Sequence, residues 1–194
     1  MTIHNLGTQT LTTARLRLRR LCIDDVDAMY SNWASDPEVT EFLVWPAYTD
    51  KGSLREYLTG AVADYDCDAT YRWGIELSVD GTLIGSIAAV GGDDGIEMKS
   101  IGYCIGRRWW GRGYTSEALG AVIAYLIEQV GVNRVEAVHD ADNVASGRVM
   151  AKCGMRYEGI LRARQRSNRG IRDALMWSIL ADDYNATRAA ATSA

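Results

Sequence analysis

From Arg15 to Leu21 apolar and polar positions alternate, Leu16 and Leu18 against Arg15, Arg17 and Arg19, with Leu21 a further inward candidate. That period of two predicts a strand with one buried face. The period then changes. Val26, Met29, Tyr30 and Trp33 recur at helical spacing behind Asp24 or Asp25, either of which can cap, and the helix should end near Asp36-Pro37. Ser53 can cap a second helix running to about Tyr65. Two apolar alternating runs follow, YRWGIELSV from Tyr71 and LIGSIAAV from Leu83, joined by Asp80-Gly81, a strong hairpin signal. Ser100 to Ile105 is another strand, and Thr115 to Val130 a helix apolar around nearly its whole middle, which should be buried and stopped by Gly131. Arg134 to His139 reads as a strand, Val144 to Cys153 as a short helix capped by Asn143 and ended by Gly154, and Met155–Ala163 with Arg172–Ile179 as a last strand pair around the turn 167–170.

The order strand, helix, strand from Ser100 to His139 requires a parallel pairing, because the helix supplies the crossover. Hairpins on either side add antiparallel strands. The fold class is therefore α/β (α+β), a mixed, mostly antiparallel sheet of about seven strands with helices on both faces. One domain covering 1–194 is expected, with 1–12 a polar lead-in and 186–194 a mobile tail. Between them, EFLVWPAY from Glu41 sets large aromatics beside a proline. It reads as a shaped loop that either lines a cleft or covers a satellite hydrophobic cluster.

Composition narrows the class. With 194 residues and 47% apolar content the chain can bury one sizeable core, and a net charge of −4 argues against a general nucleic-acid binder. Cys22, Cys67, Cys104 and Cys153 are far apart and lack metal-ligand spacing, so reduced thiols are expected, with neither disulfide nor metal. No run reaches the roughly 18 apolar residues of a membrane span and no long apolar run follows Met1. A cytoplasmic protein without membrane contact is expected.

Chemistry concentrates in GRRWWGRGYTSE, Gly106 to Glu117, where a strand ends, a glycine-spaced turn follows and the long helix starts. A helix start leaves about four N–H groups unpaired and carries roughly half a positive charge, so it suits phosphate. Gly111 and Gly113 allow close backbone approach, and Arg107, Arg108 and Arg112 add charge. A Walker loop needs Lys then Ser or Thr after its last Gly, and a dinucleotide fingerprint needs Gly at the place of Ser116; neither is present. Arg108-Trp109-Trp110-Gly111-Arg112-Gly113 does fit Arg/Gln-x-x-Gly-x-Gly, and here the chain resembles the GNAT N-acetyltransferases. TARLRLRRL and SDPEVTEFL resemble the branch of that family that acetylates ribosomal-protein N-termini, the Rim type. A second segment, Asn143-x-x-Ser146-x-Arg148-Val149-x-x-Lys152-x-Gly154, resembles the family's N-x-x-S-x-R-V-x-x-K-x-G. As isolated residues, Asn143 and Ser146 would read equally as a helix cap and a helical position.

The resemblance implies acetyl-coenzyme A as co-substrate, with a splayed central strand pair admitting its pantetheine arm. It places the diphosphate on Arg108, Trp109, Gly111, Arg112, Gly113, Tyr114 and Thr115, with main-chain contacts from Cys104, Ile105 and Arg107. Asn143 would bind the pantetheine amide, with Arg148 and Lys152 on the same helix. Cys104 could be a covalent nucleophile or a core thiol. Many relatives use a Tyr where Met150 stands to protonate the leaving thiolate, so Ser146 becomes the candidate acid. Relatives often carry Glu where Ser100 stands, so the base is open. Glu97 is the candidate, beside Asp93 and Asp94 in a loop that could equally be a solvated acidic surface. An acceptor amine of depressed pKa would need no carboxylate. Glu117 should stabilise the helix start while facing away from phosphate.

These readings imply an acyltransferase moving acetyl to a primary amine by direct attack in a ternary complex. The acceptor expected by branch is a protein N-terminal amine; a small-molecule amine, or an acyl-coenzyme A-binding module without turnover, are the alternatives. Arg162, Arg164, Arg166, Arg169 and Arg172 in the last hairpin are either solvated or recognise an acidic surface, and a homodimer through them or the loop aromatics is compatible with the sequence.

Overall fold

The computed structural model describes residues 3–192. Eight strands form one sheet: β1 Leu11–Thr12, β2 Leu16–Arg19, β3 Arg72–Leu77, β4 Leu83–Asp93, β5 Met98–Ile105, β6 Arg134–Asp140, β7 Arg156–Ser167 and β8 Gly170–Leu180, in the order β1-β2-β3-β4-β5-β6-β8-β7. Every neighbouring pair is antiparallel except β5 and β6. Helices are α1 Val26–Met29, α2 Pro37–Thr40, α3 Lys51–Ala63, α4 Tyr114–Tyr125, α5 Val144–Lys152 and α6 Ala181–Thr192. Both α1 and α4 run on into a wider π turn, over Tyr30–Ala34 and Leu126–Val130.

Two cores hold the layers together. Ala118, Leu119, Val122 and Ile123 of α4 pack with Met150 of α5 on Leu16, Leu18, Trp73, Ile75 and Ile101. The second core joins Val26, Met29 and Trp33 to Leu54 and Leu58 of α3 and to Leu83. Burying each of these side chains contributes about 1.5–3 kcal/mol.

Five expectations change. The sheet has eight strands because the lead-in contributes β1. It is drawn in by core aromatics whose polar tips need acceptors: the Trp73 indole donates to the Gln9 carbonyl at 2.6 Å and the Tyr125 hydroxyl to the Gly7 carbonyl at 2.7 Å. The tail is also helical through Thr192, since Ala181–Thr192 is rich in alanine, with the Tyr184 hydroxyl bonded to Glu128 at 2.6 Å. Asp50, not Ser53, caps α3, accepting from the Ser53 N–H at 2.8 Å. Asp25 acts from inside its turn, accepting from the Cys22 N–H at 2.8 Å and from both Arg19 terminal nitrogens. The last hairpin is longer than its apolar pattern, with bulges that let β7 and β8 pair up to the two-residue turn Asn168-Arg169.

The feature that positions the site is a parting of strands. β5 pairs β6 only from Met98 to Ser100, against Arg134 to Glu136. Beyond Ser100 the two diverge, leaving the β5 edge from Ile101 to Ile105 without a strand partner on that side.

Candidate active site

The glycine turn is built to present backbone. Arg107–Trp109 forms a 3-10 turn whose buried Trp109 anchors it. Gly111 and Gly113 then take φ of +72° and +80°, a conformation costly to residues with a Cβ. A Cβ added at Gly111 would meet nothing within 4 Å, so the turn faces open space. Gly113 is the N-cap of α4 and no side chain caps that helix, leaving its first N–H groups free for an anion.

The charges around the turn divide. Arg108 and Arg112 are exposed, whereas Arg107 is held by Asp36 at 2.6 Å and by Glu38, leaving its main chain as the part available to a ligand. Glu117 accepts from the Thr13 hydroxyl at 2.6 Å and from the Arg15 Nε at 2.7 Å, so it points at β2 and away from the phosphate side. Burial opposes its charge, yet those hydrogen bonds hold its carboxyl below the ordinary range. The Ile105 carbonyl accepts from the Trp110 indole at 2.7 Å and is thus already engaged.

At the other end of the open edge stands α5. Asn143 caps it, its Oδ1 accepting from the Ser146 N–H at 3.2 Å. Ser146, one turn in, has its Oγ 2.9 Å from the Tyr103 hydroxyl, which also donates to the Ser146 carbonyl at 3.2 Å. Tyr103 is a site residue that the sequence motifs do not single out. Its parity with Ile101 and Ile105, both buried against α4, was the available signal that its side chain points toward the α5 side. Burial pushes the Tyr103 phenol well above its ordinary value, so it stays protonated.

Cys104 is a core thiol. Its Sγ lies 3.4 Å from the Ser86 Oγ, and burial pushes the thiol up, against use as a thiolate nucleophile. Glu97 is not brought to Ser146. It sits in a left-handed conformation before β5, lines neither cleft, and is separated from Tyr103 by roughly 20 Å of strand at about 3.3 Å per residue. Asp94 is likewise occupied, by Lys99 at 2.6 Å.

Two clefts open from the parted strands. One, of about 580 Å³, is lined by Ile105, Trp109, Gly111, Gly113 and Thr115 and, on α5, Arg148 and Lys152. The other, of about 370 Å³, lies between Trp33, the loop residues Phe42 to Trp45 with Tyr48, and Tyr57, and ends at Val138, His139 and Asp140. They share Phe42, Leu43, Tyr103, Cys104, Asn143 and Ser146. The 41–48 loop therefore lines a cleft and also packs on the second core through Trp45 and Tyr48. It is clamped from the hairpin tip, where the Asn168 side chain donates to the Thr40 and Trp45 carbonyls at 2.7 and 2.8 Å. His139 and Asp140 are further residues that periodicity did not single out. His139 has both ring nitrogens engaged, Nδ1 with the Asp140 carbonyl at 2.8 Å and Nε2 with the Trp177 indole at 3.1 Å. A neutral ring, donating from Nδ1 and accepting at Nε2, fits that pair. Burial also pushes its pKa down. Among the described residues no group of three or more His, Cys, Asp or Glu is placed to hold a metal, and no helix is long and apolar enough to cross a membrane.

An uncapped helix start at one end of a strand edge without a strand partner, and a hydroxyl pair at the meeting of two clefts, make up the candidate site. The family model described as "Acetyltransferase (GNAT) domain" matches residues 15–156, and the chain belongs to that family, an acetyl-coenzyme A-dependent N-acetyltransferase. It is 30% identical over 177 residues to a protein of Bacillus licheniformis named uncharacterized N-acetyltransferase p20, covering 91% of this chain and 98% of that one. Its fold matches a GCN5-related N-acetyltransferase from Brucella melitensis (TM-score 0.84, 19% identity, 99% of this chain and 87% of that one). It also matches RimL, a ribosomal L7/L12 alpha-N-protein acetyltransferase solved with coenzyme A (TM-score 0.81, 19% identity, 90% and 99%).

Proposed function

We propose that the protein transfers acetyl from acetyl-coenzyme A to a protein N-terminal amine, by direct attack in a ternary complex. The observation that carries this reading is the junction of the two clefts at Tyr103, Asn143 and Ser146, with the helix-start turn at the far end of the larger one. Acetyl-coenzyme A supplies the activated acetyl thioester. Gly111 to Thr115 hold its diphosphate through backbone N–H groups, with Arg108 and Arg112 adding charge. The open β5 edge and Asn143 bind the pantetheine arm, and Arg148 and Lys152 flank it. The larger cleft thus takes the carrier and the smaller the acceptor.

Ser146 donates a hydrogen bond to the departing sulfur. A thiol titrates near about 8.5 and phenol near about 10. With Tyr103 raised further by burial, passing its proton to the thiolate is uphill, so Tyr103 orients Ser146 and Ser146 stabilises the charge. A protein N-terminus suits a site with no Glu at position 100, because an α-amine titrates near about 7.7–8.0 and is neutral to roughly a tenth at pH 7, whereas a lysine amine near about 10.4 is neutral to well under a hundredth. The RimL protein, as its name states, acts on such an α-amine.

The test is thiol release with peptides bearing free or blocked N-termini, read by intact mass. Acetylation of free α-amines alone is expected. Transfer to small amines with none to peptides would move the acceptor class, and coenzyme A binding without transfer to any amine would reduce the protein to a binding module.

A further inference from the structure

The smaller cleft is walled by rings and has little charge to offer. The ring centroids of Trp45 and Tyr48 lie 5.9 Å apart and those of Tyr48 and Tyr57 6.4 Å apart, so a row of tilted rings runs from the 41–48 loop to α3. Phe42 lines this cleft and the larger one, as Ser146 does. The charged groups in the lining are committed elsewhere. Arg72 donates to Asp64 at 3.1 Å and to the Ala61 carbonyl at 3.2 Å. The Asp140 side chain has no exposure and lies against Arg169 and Arg172, and His139 is neutral with both ring nitrogens engaged. Among the described residues the cleft therefore presents no exposed carboxylate. The wall is also held from outside. At the hairpin tip the Asn168 N–H donates to the Leu43 carbonyl at 3.1 Å, and the Arg169 guanidinium lies over the Phe42 ring at 5.2 Å while pairing with Asp142 at 2.9 Å. The loop is thereby tied to the segment that leads into α5, and the two sides of the cleft keep one spacing.

We infer that the acceptor is an N-terminus whose first side chain is apolar, of the size of Leu, Met or Phe, and that acceptors carrying a second cation are turned away. This rests on the acceptor reading above. The α-carbon of a first residue carries both the attacking amine and the side chain, so an amine placed at the junction of the clefts leaves that side chain facing the aromatic wall. An apolar side chain gains there by leaving water, whereas an ammonium or guanidinium would be desolvated with no carboxylate to meet it. Polyamines and other multiply charged amines are excluded on the same ground. The volume of about 370 Å³ is at the small end of ligand sites, which suits one side chain with the first peptide units and not a folded partner.

The experiment is a panel of peptides alike except in the first residue, assayed on wild type at saturating acetyl-coenzyme A. Leu, Met and Phe should exceed Lys and Arg by about 30-fold or more in kcat/KM, and spermidine should react no faster than the Lys peptide. A profile flat within about threefold, or one led by Lys or Arg, overturns the inference and leaves N-terminal acetylation standing. Acetylation of no peptide, whatever its first residue, would instead strike the acceptor reading and take the inference with it, so the two failures are distinguishable. Val44→Glu supplies the absent carboxylate from a loop position that lines the cleft and is 76% exposed, where a substitution costs the fold little. It should lower the Leu-over-Lys ratio about fivefold at low salt. An unchanged ratio would place the selection outside this cleft and overturn the inference.

Discussion

The larger and the smaller cleft, proposed above to take the carrier and the acceptor, meet at the same hydroxyl pair but are made differently. The first is mostly backbone: glycines at φ of +72° and +80°, a helix start without a side-chain cap, and a strand edge that lost its neighbour. The second is mostly side chains, gathered from the π turn after α1, the 41–48 loop, α3 and the end of β6. A backbone site holds any chain that makes the same turn, so one carrier can be kept while acceptors change. A side-chain site is rewritten by single substitutions, and specificity therefore belongs to the smaller cleft.

That contrast can be broken by experiment. Gly113→Val should have the largest effect, since a β-branched residue at φ +80° costs about 1–3 kcal/mol in strain and intrudes where phosphate lies. Coenzyme A affinity measured by calorimetry should drop on the order of 100-fold or more, and near-wild-type binding would show the turn is not the diphosphate site. Ser146→Ala removes a hydrogen bond to developing charge, commonly about 1.5–3 kcal/mol, so kcat should fall roughly 10- to 100-fold with coenzyme affinity nearly unchanged. Single-turnover rates check it. Trp45→Ala should act on the acceptor alone, raising its KM on the order of tenfold for apolar first residues, about 1.4 kcal/mol of lost contact. Equal weakening of both substrates would erase the distinction between the clefts.

Smaller still is Tyr103→Phe, which leaves the ring and removes the hydroxyl that orients Ser146. A kcat loss of about threefold to tenfold is expected, and a loss larger than that of Ser146→Ala would make Tyr103 the principal donor. The least effect is a pH dependence at the turn. Glu117 has a folded-state pKa below its ordinary value near about 4.3, so its contribution is complete above that value and disappears as pH falls through the lowered one. Melting temperature against pH should therefore decline below about pH 4.3, and less steeply in Glu117→Gln. Parallel curves would remove Glu117 from the account.

Much of the carrier side was legible because its chemistry is local. Arg108 to Thr115 is a contiguous stretch in which glycine spacing and the following helix already prescribe free N–H groups, and Asn143 to Ser146 is a helix start readable in the same way. The acceptor side was not legible for the opposite reason. Glu97 looked available because it is acidic and near β5, but the left-handed turn at 97 and the length of the strand carry it away. Asp140 carries no local signal, because Arg169 and Arg172 gather on it and Asp142 only through strand order.

By itself the order of residues determined most of the elements, the parallel crossover, the glycine turn before a long helix and the family. Periodicity, glycine placement and capping act over a few residues and leave their mark in the chain. Only tertiary structure decided that the lead-in adds the edge strand of the sheet, that β5 and β6 part after Ser100, that Tyr103 meets Ser146, and that the 41–48 loop walls the second cleft. Those facts depend on packing between segments far apart in sequence, where each contact is set by the shape of the whole core and by no local pattern.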